Sequence, residues 1–144
     1  MINTLAVEFV DFIPAALTPA TLYVSMQHAT TVHLCACGCG NKVVAPLSPA
    51  EWQLRFDGET ISLTPSIGNW EFPCRSHYWI TGSSIRLARP WSDQQIMAGR
   101  RRDAVALDQY HAGRAEPVTM SDQMSAPIRT RVRLRQRVGA WFGR

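Results

Sequence analysis

Cys35, Cys37 and Cys39 stand at spacing i, i+2, i+4, and a C-x-x-H pair, Cys74 and His77, follows one hairpin's length further on. Thiolates at about 2.3 Å and an imidazole at about 2.0 Å are the donors that tetrahedral zinc takes. Two short clusters, each on a turn, are how a zinc ribbon grips one ion. Gly38 and Gly40 suit that role, because a backbone wrapped round a metal often needs positive φ. Tetrahedral zinc needs four ligands and the chain offers five. Cys74 and His77 are expected to be two of them, with two of the three clustered cysteines completing the set. His33, two residues before Cys35, is a weaker sixth candidate. A surplus of ligands points to a closed, structural site, since a catalytic zinc keeps one position for water. The rival cofactor is a two-iron cluster, because a Rieske centre also uses C-x-x-H in its second loop.

No catalytic set stands out beside these residues. Glu51, Asp57, Glu59 and Glu71 are scattered, and the chain has neither a phosphate-binding Gly-rich loop nor a G-x-S-x-G motif. The expectation is a non-enzymatic, zinc-stabilised interaction module. Trp52, Trp70, Trp79 and Trp91 surround the metal segments and read mostly as core. The segment Pro65–Trp70 (PSIGNW) is different: its Gly68-Asn69 turn presents Trp70 as a candidate partner surface.

The elements that must position these residues follow from periodicity. Val7–Val10, Leu22–Ser25 and Thr31–Cys35 read as strands. Trp52, Leu54 and Phe56 alternate with polar residues, Asp57-Gly58 marks a turn, and Ile61 and Leu63 alternate on the return. Pro65–Pro73 reads as a loop. Tyr78–Ile80 and Ile85–Leu87 form a last hairpin about Thr81-Gly82-Ser83. Ser92 as N-cap with Gln95 three residues later predicts a capping box, with Trp91 and Ile96 as hydrophobic staple, opening a helix over about 93–111 that Gly99 weakens. The expected fold is mainly β (α+β): a small antiparallel metal-stapled domain of zinc-ribbon or Rieske-like shape over 1–90, a helical extension over 91–116 and an arginine-rich tail over 117–144.

In the tail, Arg129, Arg131, Arg133, Arg135 and Arg137 alternate with Ile128, Val132, Leu134 and Val138. That is the pattern of a strand with one basic and one apolar face. Such a strand would pair with the domain, with another subunit or with a protein partner, and its charge would also suit nucleic acid. The charge is uneven: residues 1–99 carry five Lys/Arg against seven Asp/Glu, residues 100–144 ten against four. No apolar run approaches the roughly 20 residues of a membrane span. The first residues carry Glu8 and Asp11 in their apolar stretch and do not read as a signal peptide. A cytoplasmic location is therefore expected, where cysteines stay reduced.

Taken together, HLCACGCG at 33–40, PSIGNW at 65–70 and CRSHYWI at 74–80 resemble a family of small bacterial and prophage-borne metal-binding proteins. The likeness covers roughly Leu17 to Leu87. Members of that family are often encoded beside bacterial ubiquitin-like proteins and the enzymes that activate and conjugate them. The resemblance implies an accessory zinc module or adaptor in such a conjugation system or a related defence cassette. It implies Cys35, Cys37, Cys39, Cys74 and His77 as ligands, and it does not reach the region after Trp91.

Overall fold

Eight strands and one helix make up the part of the chain that the computed structural model describes, residues 1–114. The first sheet joins β1 (Ala6–Phe9), β2 (Thr21–Ser25), β3 (Thr30–Leu34) and β4 (Lys42–Pro46) in that order. Its β1–β2 pair is parallel and the others are antiparallel. The second sheet joins β5 (Gln53–Phe56), β6 (Ile61–Gly68), β7 (His77–Thr81) and β8 (Ser84–Leu87), all antiparallel. The helix α1 runs from Asp93 to Arg114. The fold is thus mainly β with one helix after the strands, as the periodicity predicts. The tail residues Arg129 to Arg137 lie outside the described residues.

The two sheets share one apolar core. Leu22, Val24, Val43 and Ala45 come from the first, and Ile61, Leu63, Ile67, Tyr78 and Ile80 from the second. Alternation sets which side chains enter it: on β4, Val43 and Ala45 are buried while Val44 is half exposed. Strand β2 is buried along its whole length, and the 10–20 segment is hydrogen-bonded to its other face, Thr18 N donating to the Tyr23 hydroxyl at 3.3 Å. Ser25 fixes that segment, donating from Oγ to the Asp11 carbonyl at 2.8 Å.

On β6 the register slips, and this decides what the second sheet can present. Leu63 pairs with Ile80 and Ile67 with Tyr78, so β6 spends two more residues than β7 between the same rungs. Two extra residues preserve a period of 2, so Ile67 returns to the core face. Ser66 and Gly68 fall on the opposite face, with His77 and Trp79 of β7. Pro65 sits inside this irregularity, where its missing N–H breaks no ladder bond.

Helix α1 begins with the expected capping box. Ser92 N donates to Gln95 Oε1 at 2.9 Å and Gln95 N to Ser92 Oγ at 3.3 Å. Only Ile96 and Gly99 are buried on it. Gly99 has a packing reason: a Cβ there would stand 3.1 Å from the Trp91 ring. Arg75–Asp93 and Arg100–Glu71 ion pairs flank the anchored end, but both are exposed and contribute little.

Candidate functional site

Two groups of side chains could do chemistry, and a single loop joins them. The first group is Cys35, Cys37, Cys39 and Cys74, whose sulfurs all lie within 4.8 Å of one another. The chain leaves β3 at Leu34 and wraps tightly. Gly38 N donates to the Cys35 carbonyl at 3.0 Å, and Cys35 N to the Asn41 carbonyl at 2.8 Å. Gly38 and Gly40 take φ of 88° and 79°, which a side chain would strain. Cys74 arrives from the β6–β7 loop.

The sulfur spacing fits one tetrahedral ion. Four thiolates at about 2.3 Å from a metal stand about 3.8 Å apart. The sulfurs of Cys35 and Cys37 are 3.4 Å apart, those of Cys35 and Cys74 3.9 Å, and those of Cys39 and Cys74 3.7 Å. None is in a disulfide. N–H and O–H donors already face the sulfurs: Asn41 Nδ2 on Cys39 at 3.2 Å, Asn69 Nδ2 on Cys35 at 3.5 Å, and Ser76 Oγ beside Cys35 at 3.0 Å. Such outer partners orient thiolate ligands. Burial pushes the Cys35 thiol up and holds Cys37 at about 12, while the Asn41 backbone draws Cys39 down to about 6. A bound cation is what would let all four ionise together.

His77 is not part of that group, although its C-x-x-H spacing predicts a ligand. Its Nε2 lies 2.9 Å from Ser66 Oγ. The ring is enclosed by Trp91 at 4.8 Å, Trp70 at 5.0 Å and Trp79 at 5.4 Å between centroids. His33, the weaker candidate, is also elsewhere: it is fully buried and its Nε2 meets the Tyr78 hydroxyl at 2.8 Å. Burial lowers its pKa to about 4. It therefore stays neutral, sharing one hydrogen bond with the Tyr78 hydroxyl. Trp70, expected on a partner surface, stacks on Trp91 at 5.3 Å and walls the His77 ring.

Sequence reasoning missed Ser66. Gly68 is the cross-strand partner of His77, so Ser66 is its diagonal neighbour on the same face. Because Gly68 has no side chain, the Trp70 indole lies over it, and the His77 ring is free to lean towards Ser66. A Cβ on Gly68 would come within 2.5 Å of that indole. The signal was present in Pro65-Ser66-Ile67-Gly68, a serine at a strand irregularity followed by glycine, but only a cross-strand register brings it to His77.

Ser66 and His77 open onto a cleft of about 710 Å³ lined by Trp52, Pro65, Trp70 and Trp91 and by α1 residues including Arg102 and Leu107. Burial holds the pKa of His77 below its ordinary 6.5, with the Arg89 backbone opposing the drop in part. That backbone stops short of a hydrogen bond, leaving the buried Nδ1 without a partner. With its proton on Nδ1, neutral His77 can accept the Ser66 hydroxyl proton at Nε2. A serine in hydrogen-bond reach of a neutral imidazole is the arrangement that activates an oxygen nucleophile.

Fold and site thus define a mainly β domain with a four-cysteine centre and, on its outer sheet face, a Ser–His pair in a tryptophan-walled cleft. A family model described as the bacterial ubiquitination-like system serine protease, BubE, matches residues 9–88, and the chain belongs to that family. All three sequence motifs fall within the match, which links the chain to bacterial ubiquitin-like systems as the resemblance implies. No curated protein and no solved structure matches it. Among the described residues no helix is long and apolar enough to cross a membrane.

Proposed function

We propose that this protein is a serine hydrolase that cleaves an acyl bond of a protein in a bacterial ubiquitin-like modification system, with Ser66 as nucleophile and His77 as general base. The observation that carries the proposal is the 2.9 Å approach of Ser66 Oγ to His77 Nε2 at the cleft. The family's description as a serine protease supports the same class of reaction. In this reading the non-enzymatic adaptor expected from sequence gives way to an enzyme.

Ser66 Oγ attacks the carbonyl carbon as its proton passes to His77 Nε2, forming a tetrahedral intermediate. When the C–N bond breaks, His77 returns the proton to the leaving amine and an ester to Ser66 remains. Water then attacks that ester, again through His77, releasing the carboxylic acid and restoring the serine. The tryptophan walls exclude water from the imidazole and keep it neutral, ready to accept a proton.

The four cysteines would hold one zinc ion as a closed structural centre, and its chemistry is to staple the β3–β4 turn to the β6–β7 loop. Their close mutual spacing favours a single ion over a two-iron cluster, whose ligands divide between two irons. We also place the protein in the cytoplasm, where four reduced cysteines suit metal binding. The test is to incubate the full chain with a ubiquitin-like protein from the same kind of system, carrying a C-terminal extension. Cleavage that disappears in Ser66→Ala supports the reading, and cleavage unaffected by that change overturns it.

A further inference from the structure

The base of the β6–β7 loop carries a hydrogen-bond cluster that reaches both groups. Asn69 follows Gly68, and Ser76 precedes His77. Their backbones join, Asn69 N donating to the Ser76 carbonyl at 2.9 Å. Their side chains join as well, Asn69 Nδ2 donating to Ser76 Oγ at 2.9 Å. Ser76 Oγ stands 3.0 Å from Cys35 Sγ, and Asn69 Nδ2 also approaches Cys35 Sγ at 3.5 Å and the Tyr78 hydroxyl at 3.4 Å. Asn69 and Ser76 are each only 8% exposed. Between them the loop holds Trp70, a wall of the cleft, and Cys74, a member of the cysteine group.

We infer that Asn69 and Ser76 are positioning residues: they tie the four-cysteine centre to His77 and so hold the Ser66–His77 pair in register. The chemistry of the two side chains fits the task. A hydroxyl can accept from Asn69 and donate to sulfur at once, and an amide supplies two N–H groups from one nitrogen. A thiolate ligand accepts only, so a metal-bound Cys35 fixes the direction of every bond: Ser76 O–H to sulfur, Asn69 N–H to Ser76. The Tyr78 hydroxyl borders the same cluster, 3.4 Å from Asn69 Nδ2 and 2.8 Å from His33 Nε2. Ser76 is covalently next to His77, and Asn69 next to the glycine that faces it. A shift of this pair therefore moves the imidazole directly.

The kinetic part of the test rests on the hydrolase reading, and the spectroscopic part does not. Asn69→Ala, Ser76→Ala and Ser76→Thr are made in the full chain, and zinc per chain is measured for each. A fluorophosphonate probe then gives the maximal rate of Ser66 modification and the probe concentration at half that rate. We expect metal to be retained, the maximal rate to fall about 100-fold in the two alanine variants, as misplacement by about 1 Å does, the half-rate concentration to change little, and Ser76→Thr to restore the rate. Imidazole ¹⁵N resonances read His77 with no substrate at all: those of His77 should move in both alanine variants. If Asn69→Ala loses its metal, Ser76→Ala, which deletes a single hydroxyl, carries the comparison. Metal-loaded alanine variants with wild-type rates and an unmoved His77 resonance overturn the inference. If the wild-type chain takes no probe, the hydrolase reading fails. A moved His77 resonance would then still uphold the coupling, and an unmoved one would overturn it.

Discussion

At the scale of single residues, the site depends on a glycine. Gly68 leaves room for the Trp70 indole beside His77, and the indole is held there by its stack on Trp91. Gly68→Ala should therefore displace Trp70, lowering stability by about 1–3 kcal/mol as overpacking does and reducing probe labelling of Ser66. Thermal melts and labelling rates check both. His77 itself sets a pH dependence. Its pKa is lowered by burial, so the folded chain holds this proton less tightly than the unfolded one. The linked stability is complete above 6.5 and is lost as pH falls below it towards the folded pKa. The base must be neutral to act, so the acid limb of the rate profile is expected below pH 6.5, read from labelling rate against pH. The C-x-x-H spacing made His77 look like a ligand because spacing counts residues without their direction. Cys74 lies in the loop and turns to Cys35. His77 is the first residue of β7, and strand alternation points it to the outer face.

At the scale of elements, the strands and helix that alternate cleanly were legible. The β5–β6 hairpin carries a simple period-2 pattern, the β7–β8 hairpin is marked by the turn at Gly82, and α1 announces itself through Ser92 and Gln95. Two features were hidden. Strand β4 (Lys42–Pro46) sets Val43 beside Val44, so its apolar residues do not alternate although their burial does. The second half of β6 holds Pro65 and Gly68, which punctuate chains locally, and only pairing with β7 keeps it a strand. That hidden half contains Ser66. Helix α1 lies beyond the residues 9–88 matched to the family, yet its approach supplies a wall of the cleft through Trp91, which packs on His77 and Gly99. Trp91→Ala should admit water to the imidazole and raise its pKa, moving the acid limb of the rate profile upwards. A limb that stays in place would mean that Trp70 and Trp79 alone desolvate His77.

At the scale of the whole molecule, two four-stranded sheets share one modest core, and the cysteine group ties a turn of one sheet to a loop of the other. Structural zinc contributes on the order of 10 kcal/mol in small domains, comparable with the roughly 5–15 kcal/mol that holds a domain folded. Stripping the metal with a chelator should therefore unfold the chain, seen as loss of its cooperative melt, and Cys74→Ser should do the same. The nearness of Cys35, Cys37 and Cys39 was readable from their short Gly-punctuated spacing, but not that all three would gather with Cys74 while His77 turned away. The Ser–His pair was not readable, because it arises from cross-strand register. The central claim, that Ser66 is an activated nucleophile, is tested most directly by treating the full-length, metal-loaded chain with a fluorophosphonate and mapping the adduct by mass spectrometry. A single adduct on Ser66 is expected, absent from the Ser66→Ala and His77→Ala proteins although both keep their metal. A folded, metal-loaded chain that stays unmodified, or that carries the adduct on another serine, would contradict it.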